Sequence, residues 1–213
     1  SAEITKHAIN SFLASSISFI NEISLICEHT EADAREVEEG LKSEIRIGRK
    51  AFLSPGSPFS GGTLGRDLNY LNKISRKINK RTPLLSSIKI SNENHKKWIY
   101  TCLQNLIINK KIKKVAIWGL TYTENTSTLR RSLAIEIIDW LVSRNIKVFA
   151  YDSNIKKFPS KIHKLSSPLS KIKNIDLLIL LQKSEEFMQI SAKNLKKINK
   201  HLLLIDPNNI CNH

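Results

Sequence analysis

A chain of 213 residues, 41% of them hydrophobic, can bury a core in one or two domains, and its longest apolar runs, such as 175–181 broken by Asp176, fall far short of a membrane span. The formal charge of +15 is spread as lysine pairs along the chain (Lys96-Lys97, Lys110-Lys111, Lys113-Lys114, Lys156-Lys157, Lys196-Lys197) without regularly spaced aromatics, which argues for solvated helix faces and against a nucleic-acid surface. The three cysteines, Cys27, Cys102 and Cys211, show neither CxxC nor Cys/His spacing, so neither a disulfide framework nor a metal site is expected.

The opening residues, with Glu3 and Lys6, lack the basic-then-apolar order of a signal peptide, so a cytoplasmic location is the default expectation. From Ala2 to about Cys27, apolar residues recur along one line (Ile4, Ala8, Phe12, Phe19, Ile23, Ile26) and along a second (Ile9, Leu13, Ile17, Ile20), and one long helix satisfies both. Two adjoining stripes are wider than a surface helix needs. The helix is therefore expected to be covered on two sides, by its own domain and by a partner subunit. A second helix is predicted from about Asp33 to Leu41, with Asp33 as N-cap, Glu36 placed as in a capping box, and Gly40 weakening its end. The stretch from Phe52 to Gly65 holds most of the glycine and two prolines and reads as a loop. A helix follows from about Asp67 to Lys80.

After Pro83, apolar residues at Ile99, Leu103, Leu106 and Ile107 predict a helix over about Asn92 to Ile108. Near Lys111 the pattern changes. Strands are predicted at Val115–Trp118, Val148–Tyr151, Leu177–Leu181 and Leu202–Ile205, separated by helices at about Leu129–Arg144 and Glu185–Ile198. That alternation implies a parallel sheet with right-handed crossovers. The expected architecture is mixed: an all-α domain over residues 1–90, a connecting helix over 91–110, and an α/β Rossmann-like domain over 111–213.

Two groups of residues suggest chemistry. Lys6 and Asn10 are four apart on the first helix and share a face, so an ammonium and an amide can meet one ligand; a surface lysine with a polar neighbour fits the same spacing. In the loop, the paired glycines Gly61 and Gly62 are followed by a hydroxyl (Thr63), a base (Arg66) and an acid (Asp67). This suits close backbone approach to a substrate, and an ordinary surface loop is the alternative.

The run SAEITKHAINSFLASSISFINEISLICE, then ADAREVEEG, IRIGRKAFLSPG and GGTLGRD, resembles the middle domain of the UDP-glucose/GDP-mannose dehydrogenase family nearly end to end. KKVAIWGLTYTENTSTLRRSLAIEII, VFAYDSN, IDLLILLQKSEEF and LLLIDPNN follow in that family's order. The resemblance implies a middle domain that forms a homodimer through the first long helix and a C-terminal domain that binds the nucleotide of a UDP-sugar. In the family a separate N-terminal Rossmann domain binds NAD; these residues hold no GxGxxG among their seven glycines, so no cofactor-binding residue is expected here. The family oxidises the sugar C6 alcohol to a carboxylate in two hydride transfers, through a thiohemiacetal on a cysteine. By resemblance, Lys6 and Asn10 stabilise negative charge on the substrate oxygen, and Asp67 assists water. Arg46 matches the arginine that reaches the partner subunit's substrate, and Phe52, Leu53 and Gly61 belong to the loop along the sugar. Tyr122 and Arg130 fall on the nucleotide-side loop and helix start.

The departures matter as much. Aligned without a gap, Thr63 falls on the nucleophilic cysteine, and a threonine hydroxyl is a far poorer nucleophile than a thiol near neutral pH. Pro58 and Ser60 replace loop glycines. Thr123 and Asn208 replace two cations, which weakens a UDP-sugar by tens-fold or more at about 1.5–3 kcal/mol per charge-assisted bond. The chain by itself is expected to be inactive. Two readings follow: the C-terminal part of an NAD-dependent nucleotide-sugar 6-dehydrogenase, or a non-catalytic relative serving as a nucleotide-sugar-binding or dimerisation module.

Overall fold

The computed structural model describes residues 1–60, 62–122 and 126–211. It divides into two compact units, Ser1–Ile99 and the residues from Tyr100 onward. The first is helical: α1 (Ala2–Thr30), α2 (Ala34–Ser43), α3 (Leu64–Lys77) and the longest part of α4 (Pro83–Lys110). The division falls inside α4, which runs unbroken from Pro83 instead of beginning near Asn92. Its first turns escape the apolar count because Leu84 and Ile90 point outward, while two inward positions, Asn92 and His95, are polar.

The buried line of α1 is His7, Ser11, Ala14, Ser18 and Asn21, spaced four, three, four and three apart. Ala14 packs with Leu68 of α3 and Ile88 of α4, and the Ser18 hydroxyl reaches the Ile88 carbonyl at 3.4 Å. Of the large apolar residues, Ile20 from the second expected line is buried as well, but most lie elsewhere: Phe12 is 72% exposed and Ile9 56%, with Ile4, Phe19 and Ile26 also exposed. The expected line through Ile4, Phe12, Phe19 and Ile26 thus faces out, and a small, polar seam faces in. With a mean hydropathy of 1.3 over an 18-residue window, α1 is long and apolar enough to cross a membrane, which the count of uninterrupted runs does not register. Its packed polar seam is that of a bundle helix. Asp33 caps α2 by accepting from the Arg35 amide at 2.7 Å, and the helix continues past Gly40 to Ser43.

The second unit is a five-stranded parallel sheet in the order β3-β2-β1-β4-β5: β1 (Lys114–Trp118), β2 (Lys147–Tyr151), β3 (His163–Lys164), β4 (Leu177–Leu180) and β5 (Leu203–Ile205). β1 and β4 are central because apolar side chains point to both faces: Val115–Trp118 and Leu177–Leu180 are all buried. Val115 pairs with Val148 on one side and Leu177 on the other. β3, two residues long, is too short to show a period. α5 (Leu133–Val142) starts at its Ser132 cap instead of Leu129, after Arg131 at a φ of 59°. The expected last helix divides into α6 (Glu185–Met188) and α7 (Ala192–Ile198), because Ser184 and Ser191 each cap a new start. Trp118 stacks on Phe187 at 5.3 Å in the core beneath them.

Gly119, directly after β1, has a φ of 82°, and a Cβ there would overlap the Gln182 side chain. Gly119→Ala is expected to cost about 2 kcal/mol through backbone strain and that overlap. Urea unfolding at neutral pH measures it; a wild-type midpoint would show that the close approach is not a constraint.

Candidate functional site

In the first unit the chemistry gathers where α1 meets the start of α3. Thr63 stands before α3 and is exposed, and its carbonyl accepts from the Asp67 amide at 3.1 Å, so the two residues lie one turn apart. Asp67 is fully buried. One carboxylate oxygen accepts from Asn10 Nδ2 at 2.6 Å; the other accepts from Arg66 Nε at 3.1 Å and lies 3.4 Å from His7 Nδ1 without an aligned hydrogen bond. The His7 ring in turn lies 4.2 Å from that of Tyr70. Burial raises the Asp67 pKa, but the bonds from Asn10 and Arg66, the Arg66 charge and His7 together outweigh it and hold the carboxyl below its ordinary value. The result is a buried carboxylate held in its ionised form by neighbours on α1 and α3.

Lys6 shares α1 with Asn10 and is exposed, free to reach a ligand. Asn10 is half-buried and spends one of its two amide hydrogens on Asp67.

The loop that precedes α3 is pinned by polar side chains from the helices. Asn21 accepts from the Gly56 amide at 2.9 Å. Asn92 accepts from the Phe59 amide at 2.9 Å and donates to its carbonyl at 3.0 Å. His95 Nε2 lies 2.7 Å from the Gly56 carbonyl, and its ring stacks on Trp98. Burial lowers the His95 pKa, against the Gly56 carbonyl and Glu28, so the neutral ring donates through Nε2. The Ser54 hydroxyl donates to Glu38 of α2 at 2.6 Å. Within this frame Leu53 is buried and Phe52 is 58% exposed. Arg46 points into solvent, paired with Glu44 at 2.8 Å, and joins nothing else here. Gly61 lies outside the described residues.

The second unit presents its own cluster at the carboxyl ends of β1 and β4, where the strand order reverses. Asp152, at the end of β2, accepts from the Leu120 and Thr121 amides at 2.7 and 3.3 Å. The Thr121 hydroxyl donates to Gln182 at 3.0 Å, and the Ser132 hydroxyl donates to the Leu120 carbonyl at 2.5 Å. Tyr122 emerges from this braced turn 38% exposed, and Arg130 is exposed ahead of α5. Thr123 lies outside the described residues. Asn208 Nδ2 donates to the Leu181 carbonyl at 3.0 Å, tying the end of β5 to that of β4. The turn has one glycine and the β2-end carboxylate is spent on backbone amides, so these residues do not fit a dinucleotide.

Among the described residues, no three His, Cys, Asp or Glu side chains group as a metal ion requires. Of the cysteines, Cys27 and Cys211 are buried and Cys102 is half-buried, and burial with Asp206 pushes the Cys211 thiol up to about 11. His7, Asn21, Asn92, His95, Asp152 and Gln182 escaped the sequence reading. For Asn21, Asn92 and His95 the available signal was a polar residue at a core position of a long helix.

Asn10→Leu, which keeps the shape and removes the amide, is expected to cost about 2 kcal/mol near pH 7 by depriving a buried carboxylate of its shortest bond. Because the folded pKa of Asp67 is depressed, that contribution is complete above the ordinary carboxylate range, about 4, and is lost as the pH falls through the folded value. Urea unfolding of both proteins near pH 7 and near pH 3.5 checks it. A difference that stays constant between the two would mean that Asn10 does not act through the ionised form.

The family model described as the central domain of the UDP-glucose/GDP-mannose dehydrogenase family matches residues 1–94, and that of its UDP-binding domain matches residues 116–213. The chain is 31% identical over 218 residues to UDP-glucose 6-dehydrogenase of Rickettsia prowazekii, covering 98% of this chain and 50% of that protein. It is 30% identical over 221 residues to UDP-glucose 6-dehydrogenase TuaD of Bacillus subtilis, covering 99% of this chain and 46% of that one. It thus spans about half the length of the curated relatives it matches. Among solved structures, NDP-N-acetyl-D-galactosaminuronic acid dehydrogenase from Methanosarcina mazei superposes with a TM-score of 0.83 at 21% identity, over 99% of this chain and 47% of that one. With its helical unit matching one model and its parallel-sheet unit the other, the chain belongs to the UDP-glucose/GDP-mannose dehydrogenase family.

Proposed function

We propose that this chain is the sugar-holding half of a nucleotide-sugar dehydrogenase that no longer carries the aldehyde through to acid. The observation that carries the reading is the Asn10–Asp67 hydrogen bond at 2.6 Å, which brings together the amide and the carboxylate that the family resemblance assigns to oxyanion stabilisation and to water. Lys6 and the free hydrogen of Asn10 face the oxygen on which negative charge develops as the alcohol is oxidised. By family resemblance Asp67 would assist the water of the hydrolytic step. Thr63, one turn before it, supplies a hydroxyl where a thiolate is needed, so the covalent thiohemiacetal does not form.

In the second unit the turn of Gly119, Leu120 and Tyr122, with Arg130, would meet the nucleotide of a UDP-sugar; in the first, Phe52 and Leu53 belong by family resemblance to the loop along a sugar. By family resemblance Arg46, which extends into solvent beside Glu44, would serve a partner's site. The hydride acceptor is NAD by family resemblance, and no residue here is assigned to it. A second reading, a nucleotide-sugar-binding or dimerisation module without catalysis, is favoured by Thr63 together with Asn208, whose amide is tied to Leu181 where the family has a cation.

Fused to the NAD-binding half of the Rickettsia prowazekii relative, the chain is expected to make NADH from UDP-glucose and release aldehyde but no uronic acid, and Thr63→Cys is expected to restore acid. NADH absorbance and product mass follow both. Acid from the Thr63 form would refute the role given to that position, and no NADH from either form would favour the module.

The outward line of Ile4, Ile9, Phe12, Phe19 and Ile26 supports a homodimer through α1. Sedimentation of the 24.3 kDa chain at micromolar concentration is expected to give twice that mass, and Phe12→Glu with Phe19→Glu to give the monomer. A monomeric wild type would assign the stripe to another domain.

A further inference from the structure

Asp67 opens α3; the other end of that helix, about 15 Å further along its axis, meets the start of α4 in a quite different environment. There the two helices flank an open surface cleft of about 510 Å³. Four of its lining residues are cations, Arg76, Lys80, Arg81 and Lys89, and none is acidic or aromatic. The wider sequence agrees, since residues 68–92 hold six lysines and arginines and no aspartate or glutamate. Among the described residues, no carboxylate pairs with any of the four cations.

The wall that carries them is braced. The Thr82 hydroxyl donates to that of Ser75 at 2.9 Å, and Asn72 bridges the helices by donating to the Leu68 and Leu85 carbonyls at 3.2 and 3.1 Å. The Ser86 hydroxyl donates back to Asn72 at 3.2 Å. These bonds engage Asn72, Ser75, Thr82 and Ser86 with one another and with the helix backbone, and Arg76 Nε donates to the Asn72 carbonyl at 3.2 Å, which holds that guanidinium against the wall. Like charges held around one cleft repel, and an anion placed among them removes that repulsion while gaining charge-assisted bonds. The first-turn amides of α4 add a smaller pull in the same direction.

We propose that this cleft is a binding site for a small phosphate-bearing molecule, recognised through a phosphate or pyrophosphate group. The volume lies in the range of small-molecule sites and exceeds what one phosphate fills. With no aromatic in the wall, a nucleobase gains no stacking surface, so the phosphates carry the recognition. The site is separate from both clusters described above and does not depend on the catalytic reading.

Inorganic pyrophosphate is the probe. Titrated into the ¹⁵N-labelled chain at about 100 mM salt, it is expected to saturate, with amide shifts concentrated over residues 76–89. Lys80→Glu with Arg81→Glu, both exposed, is expected to weaken it by about tenfold or more. A charge-matched control on α7, Lys193→Glu with Lys197→Glu, is expected to leave it unchanged; far-ultraviolet circular dichroism melts confirm that both variants fold. Should the first pair not fold, Lys89→Glu is read in its place. Equal weakening in both variants would reduce the effect to net charge and overturn the site, as would shifts spread over lysines throughout the chain. Uridine, which lacks phosphate, is expected to leave those amides unmoved, and movement would overturn the anion assignment.

Discussion

A carboxylate without solvent exposure has to be answered by its neighbours, and Asp67 is answered from two helices at once. Asn10 comes from α1, Arg66 from the turn beside it, and His7 stands next to both. Removing water from an isolated charge costs several kcal/mol, so this group is tolerable only while α1 and α3 keep their register. The register in turn is permitted by the small side chains on α1. Ala14 lets Leu68 and Ile88 close over it, and one turn either side Ser11 and Ser18 continue the narrow seam. The packing of the helical unit and the ionisation of its central acid are therefore one constraint seen at two scales.

The loop between α2 and α3 follows from the same arrangement. A segment with two prolines and little regular backbone bonding has amides and carbonyls to satisfy, and here the helices supply the partners. Asn21, Asn92 and His95 occupy positions where a helix would ordinarily place leucine, and each bonds to the loop backbone at Gly56 or Phe59, Asn92 through both its oxygen and its nitrogen. The loop is thereby held to the helices by groups that apolar residues could not replace. Its anchors at Gly56 and Phe59 lie a few residues before α3 begins.

These devices also explain which parts of the fold were legible in the sequence. Val115–Trp118 and Leu177–Leu180 announce themselves because a central parallel strand is apolar on both faces. α1 was legible as a helix but not in its orientation, since its inward seam is polar and its outward stripe is Ile and Phe. The first turns of α4 were lost for a related reason, and β3 because two residues have no period. At the site, the spacing of Lys6 and Asn10 and the order Thr63, Arg66, Asp67 were visible. The bond between Asn10 and Asp67 was not, because 57 residues separate them and only the packing of α1 on α3 closes that distance. The roles of Arg46, Phe52, Leu53, Gly61, Tyr122 and Arg130 rest on resemblance, and Arg46 in particular meets no site within its own unit.

The sheet unit applies the same logic to a different end. In a dinucleotide-binding turn, glycines let the backbone approach a pyrophosphate, and the acid at the end of the second strand is kept for a ribose. Here Gly119 is pressed against Gln182, and Asp152 is consumed by the Leu120 and Thr121 amides. The turn is held shut from below by Asp152 and Ser132 and from the side by Gln182. Such a turn lacks the open backbone that cradles a pyrophosphate, and that separates this unit chemically from the Rossmann domains whose strand order it shares.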